Sequence, residues 1–360
     1  MPPPVRFLAF AVLSWLIAAV PLQAHTCKIV PVLTVTLGYA EGLATAQARI
    51  DGVEVTLGID TGAQTLVTPQ TASRLHLLRD ARHRTREIGA TAVTIASNVL
   101  IRDFEFAGRH YGPKSVASIS LAAPRQATDP PLAGLIGADI LSKYDIDFDL
   151  ASRSMTLYKV AGCARIAPPW TDPYTSFPIR ITGERHVVIP VELNGTRLAA
   201  LLDTGATGMA ISRKAALRSG VTEAMLKADP LQELIGVGGI AARQPSHRFR
   251  SMVLAGETIH DIPLQLIPTQ LPSADVLVGQ VYLLFRRVWI SYATRTLFVG
   301  ARKIPPPQQV PEPFVKLFAP TAAPRGPQGP SPMPPQPPAA AREGGTCQPG
   351  TSSCEESGKI

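Results

Sequence analysis

A mainly β protein built from two copies of one module, with short helices, is the fold class this sequence predicts. Three observations carry that expectation. The segment Ile59-Asp60-Thr61-Gly62-Ala63 recurs as Leu202-Asp203-Thr204-Gly205-Ala206, 143 positions later (203 − 60). Runs of strand composition, bounded by turn residues, stand in the same order in both copies. Hydrophobic residues make up 45% of the 360-residue chain and charged ones only 17%. That supplies a core and excludes a charged coiled coil or a highly charged disordered chain.

The elements follow in chain order. Arg6 precedes an apolar run over residues 7–20, and Pro21-Leu22-Gln23-Ala24 follows it. This is the shape of a secretory signal, assigned to residues 1–24. The run is shorter than the roughly 20 apolar residues of a membrane span; an uncleaved anchor is the alternative. No later segment approaches spanning length, so the mature chain is expected to be exported, periplasmic or secreted, without a stable membrane span.

The first lobe is assigned to residues 25–165. Strands are expected at 32–37 and 53–57, the second opened by the hairpin turn Asp51-Gly52, and a short helix at 69–78. Leu135-Ile136-Gly137 and Ala151-Ser152-Arg153-Ser154 come later in the module. The proline-rich stretch Ala167-Pro168-Pro169-Trp170-Thr171-Asp172-Pro173 reads as a linker into a second lobe over 166–303. There the strands 187–193 and 197–202 flank Asn194-Gly195, a helix is expected at 213–219, and Leu277-Val278-Gly279 and Ala293-Thr294-Arg295-Thr296 repeat the later landmarks. The turn dipeptides share the offset of 143 and the later landmarks stand 142 apart (279 − 137). Residues 304–360 are rich in Pro, Ala, Gly and Gln and read as a disordered, partly polyproline-like tail.

The net charge of +8 is modest for this length. The cluster Arg79, Arg82, Arg84 and Arg86 reads as a solvated face. No aromatic platform or reader motif accompanies it, so no nucleic-acid partner is expected. Salt-dependent binding of an anionic surface is the weaker reading of the cluster. Asp145, Asp147 and Asp149 suggest a calcium loop, but Leu150 and Thr156 stand where its sixth-place Gly and twelfth-place Glu belong. They are read as lining a surface strand instead. The histidines show no ligand spacing, so neither metal nor cofactor is expected. Export makes the four cysteines disulfide candidates. Cys27 and Cys163 bracket a stretch of lobe size and are predicted to bond, while Cys347 and Cys354 lie close together in the tail. Other pairings and free thiols stay open.

Each repeated Asp ends an apolar strand, where its charge is costly unless backbone donors hold it. Gly62 and Gly205 allow a tight turn that brings amides to the carboxylate. Thr61 and Thr204 supply hydroxyls to brace the opposing loop. Two such loops face to face would bring Asp60 and Asp203 within hydrogen-bond reach and make them share a proton. One carboxylate could then act as general base on a water and the other as general acid on a carbonyl.

The repeated Asp-Thr-Gly-Ala, followed 77 and 76 residues later by Gly137 and Gly279 (137 − 60; 279 − 203), resembles the retropepsin-like aspartic protease family. The resemblance covers about residues 30–303. It implies two related β-barrel lobes, of retropepsin or pepsin type, around a central cleft. It implies catalytic Asp60 and Asp203, loops supported by Thr61, Gly62, Thr204 and Gly205, and close packing behind them at Gly137 and Gly279. It also implies glycine-rich flap hairpins that bind substrate. Ile235-Gly236-Val237-Gly238-Gly239-Ile240 fits a flap tip, with an ordinary hairpin as the plain alternative. Gly89, in Ile88-Gly89-Ala90-Thr91, gives the first lobe a weaker match. Two departures stand out: no residue plainly matches the pepsin flap tyrosine, and the helix usual after the later Gly is less clear in Ala138-Asp139-Ile140-Leu141 and Gln280-Val281-Tyr282-Leu283. With two motifs in one chain, a monomer is expected. The activity implied is aspartic endopeptidase action on extended, exported or envelope polypeptides. The alternative is a catalytically silent module that holds an extended peptide in the same cleft by strand addition.

Overall fold

The structure, a computed structural model, describes residues 27–121 and 131–303. The expected signal segment, the tail and the Cys347 and Cys354 pair lie outside the described residues. The described residues all fall in one compact unit.

Three sheets make the fold. The first lobe's sheet runs in the order Leu78–Ile88, Val93–Ile101, Lys114–Ser118, Leu66–Val67, Gly134–Ile136, Val53–Ile59, Leu43–Ile50, Phe104–Phe106 and Arg109–Tyr111. The second lobe repeats the plan with eight strands from Arg180–Ile181 to Leu231–Ile235, and a further pairing of Val187–Leu193 with Ala241–Leu254 closes it on itself. The repeat is visible strand by strand. Val53–Ile59 runs parallel to Gly134–Ile136, as Thr196–Leu202 runs parallel to Val276–Val278.

Sequence dictates much of this locally. Asp51 and Gly52 have φ of 48° and 82°, Asn194 and Gly195 49° and 83°, which is the double left-handed turn that joins two twisted antiparallel strands. Thr68 and Ser212 cap the helices Pro69–Arg74 and Arg213–Arg218 by accepting from Thr71 N and Ala215 N. The first helix is shorter than the expected 69–78, because His76 turns into the left-handed region at φ 50° and Leu78 already begins a strand. Thr222 caps a further helix, Glu223–Ala228, that the sequence reading did not assign.

The third sheet belongs to neither lobe alone. Its order is Lys28–Thr36, Ser154–Ala161, Asp145–Asp149, Val288–Ser291, Thr296–Gly300 and Tyr174–Pro178. Its central seam pairs Ile146 with Ile290 and Phe148 with Val288, across the two halves of the duplication. This corrects the reading of Asp145 and Asp147 as surface-strand acids: they are 3% and 2% exposed. Their charges find partners at the seam. Asp147 accepts from Arg287 Nη2 at 2.6 Å and from Trp170 Nε1 at 3.0 Å, and Asp145 accepts from Ser291 Oγ and Ala293 N. Hydrophobic packing runs through both lobes and this sheet, with Trp289, Phe148, Phe104 and Phe249 among its largest fully buried side chains.

At the sheet's outer edge Lys28 pairs with Ala161, and beside that pair Cys27 and Cys163 form the expected disulfide, with Cα atoms 4.4 Å apart. Arg79, Arg82, Arg84 and Arg86 are exposed along Leu78–Ile88. No helix among the described residues is long and apolar enough to cross a membrane.

Candidate active site

The two Asp-Thr-Gly loops meet. Asp60 follows the buried strand Val53–Ile59 and Asp203 follows Thr196–Leu202. Each backbone is pinned from behind: Asp60 N donates to Ile136 O at 3.0 Å, and Asp203 N to Val278 O at 2.9 Å. The strands Gly134–Ile136 and Val276–Val278 thus act as fixed shelves under the loops.

The space behind the loops explains Gly137 and Gly279. A Cβ on Gly137 would lie 2.2 Å from the Gln64 carbonyl carbon, and one on Gly279 2.1 Å from Gly208 O. Only a residue without a side chain fits that approach. Beside them Ala138 N donates to Ala63 O and Gln280 N to Ala206 O, both at 2.8 Å. The single-turn helices Ala138–Leu141 and Gln280–Leu283 follow, so the helical segment is present in both lobes but short.

Between the lobes the threonines cross. Thr61 Oγ1 donates to Leu202 O at 2.7 Å and accepts from Thr204 N at 3.0 Å. Thr204 Oγ1 donates to Ile59 O at 2.8 Å and accepts from Thr61 N at 3.0 Å. Both threonines are buried, so these four bonds lock the loops in register without competition from water.

Locked this way, the carboxyls face each other. Asp60 Oδ1 accepts from Gly62 N, and Asp203 Oδ1 from Gly205 N, both at 2.8 Å. Each glycine also touches the opposite acid. A Cβ on Gly62 would lie 2.5 Å from Asp203 Cγ, and one on Gly205 2.1 Å from Asp60 Oδ2. Burial raises the pKa of both groups, and the charge of Asp203 pushes Asp60 further up. Two like charges this close cannot both ionise cheaply, so the pair keeps one proton over a wide pH range.

The flap glycines also come together. Gly89 N donates to Ala92 O, and Gly236 N to Ile240 O, closing the hairpin tips that join Leu78–Ile88 to Val93–Ile101 and Leu231–Ile235 to Ala241–Leu254. Gly238 and Gly239 have φ of 96° and 71°, which only glycine adopts easily. The tips dock on each other and on the far lobe. A Cβ on Gly236 would meet Thr91 Oγ1 at 2.4 Å, Gly238 N donates to Ser120 O, and Thr269 Oγ1 donates to Gly89 O. Between tips and acids lies a cleft of about 230 Å³, lined by Asp60, Leu43, Leu135, Leu234 and Val237 among others.

The family described as aspartyl protease matches the chain twice, over residues 46–140 and 189–282. The chain belongs to the aspartyl protease family. The matched stretches start 143 residues apart (189 − 46) and end 142 apart (282 − 140), the offsets of the internal repeat, so each lobe of this aspartyl protease is one copy of the family unit. No curated relative matches the chain. Among solved structures it is similar to a retropepsin-like aspartic protease from Rickettsia conorii, with 18% identity over 37% of this chain and 96% of that one, at a TM-score of 0.28.

Some residues of the site escaped the sequence reading. Leu43 and Leu234 line the cleft beside Asp60, Glu87 and His186 lie within electrostatic reach of Asp203, and Glu184 lies within reach of Glu87 and His186. A signal existed for part of this set, because Glu41 and Glu184 stand at the same offset of 143 as the dyad (184 − 41). Among the described residues no cluster of three His, Cys, Asp or Glu is placed to hold a metal ion.

Proposed function

We propose that this protein is an aspartic endopeptidase that hydrolyses peptide bonds with a water activated between Asp60 and Asp203. The observation that carries the reading is the crossed threonine lock, which holds the two carboxyls against each other. The ionised carboxylate takes a proton from water, and the resulting hydroxide attacks the scissile carbonyl carbon. The protonated carboxyl gives its proton to the carbonyl oxygen. The tetrahedral diol then collapses: one diol hydroxyl returns its proton to the acid pair as the C=O reforms, the C–N bond breaks, and the amine nitrogen takes a proton from the pair, which is left with one proton again.

The flap hairpins and the apolar cleft suit a substrate chain in extended form, held partly by main-chain hydrogen bonds. Export supports a choice of substrates among exported or envelope polypeptides, in the periplasm or outside the cell. The Cys27–Cys163 disulfide supports that location, since such bonds persist in oxidising compartments. With both motifs in one chain, a monomer suffices for a complete dyad.

Incubation with an unfolded protein at mildly acidic pH tests the reading. Cleavage is expected from the parent, inhibition by a statine-type compound, and loss of at least a thousandfold in D60N and D203N. Variants that cleave as fast as the parent would refute it. A parent that binds the same chains without cutting them would establish the silent peptide-binding module instead.

A further inference from the structure

The duplication makes the cleft's two halves comparable position by position, and at two positions they differ in kind. Beside Asp60, the cleft of about 230 Å³ takes Leu43 from the strand Leu43–Ile50 and Leu234 from the flap strand Leu231–Ile235, together with Glu41, the repeat counterpart of Glu184. The internal repeat places His186 where Leu43 stands, at the offset of 143 (186 − 43). The hairpin closures Gly89 N to Ala92 O and Gly236 N to Ile240 O equate Gly89 with Gly236, and so Glu87 with Leu234. The apolar clusters repeat the same contrast. Ala90 and Leu234 pack on the second lobe's cluster with Leu277, and Val237 and Leu43 on the first lobe's with Leu135; Glu87 and His186 belong to neither.

Glu87 faces inward. It is cross-strand from Thr94, on the same hairpin face as buried Ala96, whereas Arg84 and Arg86 on the other face are exposed. Its electrostatic neighbours are Glu184 and Asp203, both acids. Among the described residues its carboxyl has no hydrogen-bond or cationic partner. His186 is largely enclosed, with Nδ1 3.6 Å from Glu184 Oε2 and Nε2 3.4 Å from Gln64 Nε2. Gln64 in turn donates to Glu184 O at 2.8 Å. Burial lowers the His186 pKa, so the ring adds no fixed positive charge to this half of the cleft at neutral pH.

We propose that Glu87 is a specificity-determining residue, and that the subsite it forms with His186 and Glu184 takes a lysine or arginine side chain on one side of the scissile bond while Leu43 and Leu234 take an apolar side chain on the other. This rests on the reading of the cleft as a peptide site. An inward carboxyl surrounded by acids carries a penalty that a bound cation relieves, and the raised Glu87 pKa of about 7 reports that penalty. The basic preference is thus built from the flap strand Leu78–Ile88 and the turn before Val187–Leu193, not from the acids that do the chemistry.

The test uses the disulfide-bonded protein and matched extended peptides with a central leucine. Lysine, norleucine or glutamate replaces each flanking position in turn. The lysine peptide at one position is expected to exceed its norleucine isostere about tenfold in kcat/KM. E87L should reverse that order, and E87K should favour the glutamate peptide, a switch that a merely structural Glu87 would not produce. A parent without a lysine preference at any position overturns the inference, as do E87L and E87K variants that keep the parent's preference; the hydrolase reading survives either result. If the parent cuts none of the peptides, the hydrolase reading fails separately. The same peptides are then ranked by Kd in fluorescence anisotropy, where the lysine order is again expected and an unranked set overturns the proposal.

Discussion

Thr61 and Thr204 do at residue scale what no other pair among the described residues does: each hydroxyl donates to a carbonyl and accepts from an amide across the lobe boundary. Valine has nearly the same shape but no hydroxyl. T61V therefore leaves Leu202 O and Thr204 N without these partners in a buried place, and a loss of about 2–4 kcal/mol is expected by denaturant unfolding. T204V should cost about as much, and the double variant less than the sum, because the bonds form one network. The acids themselves predict a pH effect of definite sign. Their folded pKa values are raised above the ordinary 3.8, so the native state binds more protons than the unfolded one above that pH. Stability contributed by the pair is present at acid pH and is lost as pH rises toward and through the raised values. D203N removes that penalty: its Tm should exceed the parent's at pH 7, with the gap closing toward pH 4. The dyad and its threonines were legible in sequence because the repeat marks them twice. Glu87 was not, because its partner position holds Leu234 and a repeat search sees only what stayed alike.

Elements carry the next layer. The loops are precise because the parallel shelves Gly134–Ile136 and Val276–Val278 leave no room behind them. G137A, which drives a methyl into backbone at 2.2 Å, should cost more than about 3 kcal/mol. G52A meets no atom within 4 Å and carries only the strain of φ 82°, about 1 kcal/mol. Comparing the two separates close approach from turn geometry. The flaps predict a different signature. Val237 packs with the cluster of Ala63, Leu66 and Leu135 on the opposite lobe, so V237D should loosen the hairpin tip alone. Faster amide exchange over residues 235–241 and a raised KM are expected, with little change in global unfolding. Both hairpins were readable from glycine spacing. That they touch was not, since it depends on Thr269 and Ser120, which lie in unremarkable segments.

At the scale of the whole molecule, the duplication is tied together by a sheet the sequence reading did not foresee. Its strands are short, and Asp145-Ile146-Asp147-Phe148-Asp149 alternates as a half-exposed strand would. The acids are buried all the same, because Arg287 and Ser291 arrive from the other half of the chain, and Trp170 from the linker, to meet them. A single copy of the module gives no hint of partners more than a hundred residues away. The Cys27–Cys163 bond fastens the free edge of this sheet and closes a long loop, with a sequence separation of 136. Replacing both cysteines by serine should lower stability by about 2–5 kcal/mol in denaturant titration, with the dyad geometry kept.

The central claim is that one proton shared by Asp60 and Asp203 drives the reaction, and the pH profile of kcat/KM for a cleaved peptide tests it most directly. A bell is expected, with an acid limb where both carboxyls hold protons and an upper limb where both are ionised, the upper limb lying well above the ordinary carboxyl range. D60N and D203N should abolish the profile rather than shift it. A rate that climbs steadily with pH, or a bell that survives either substitution, would contradict the account.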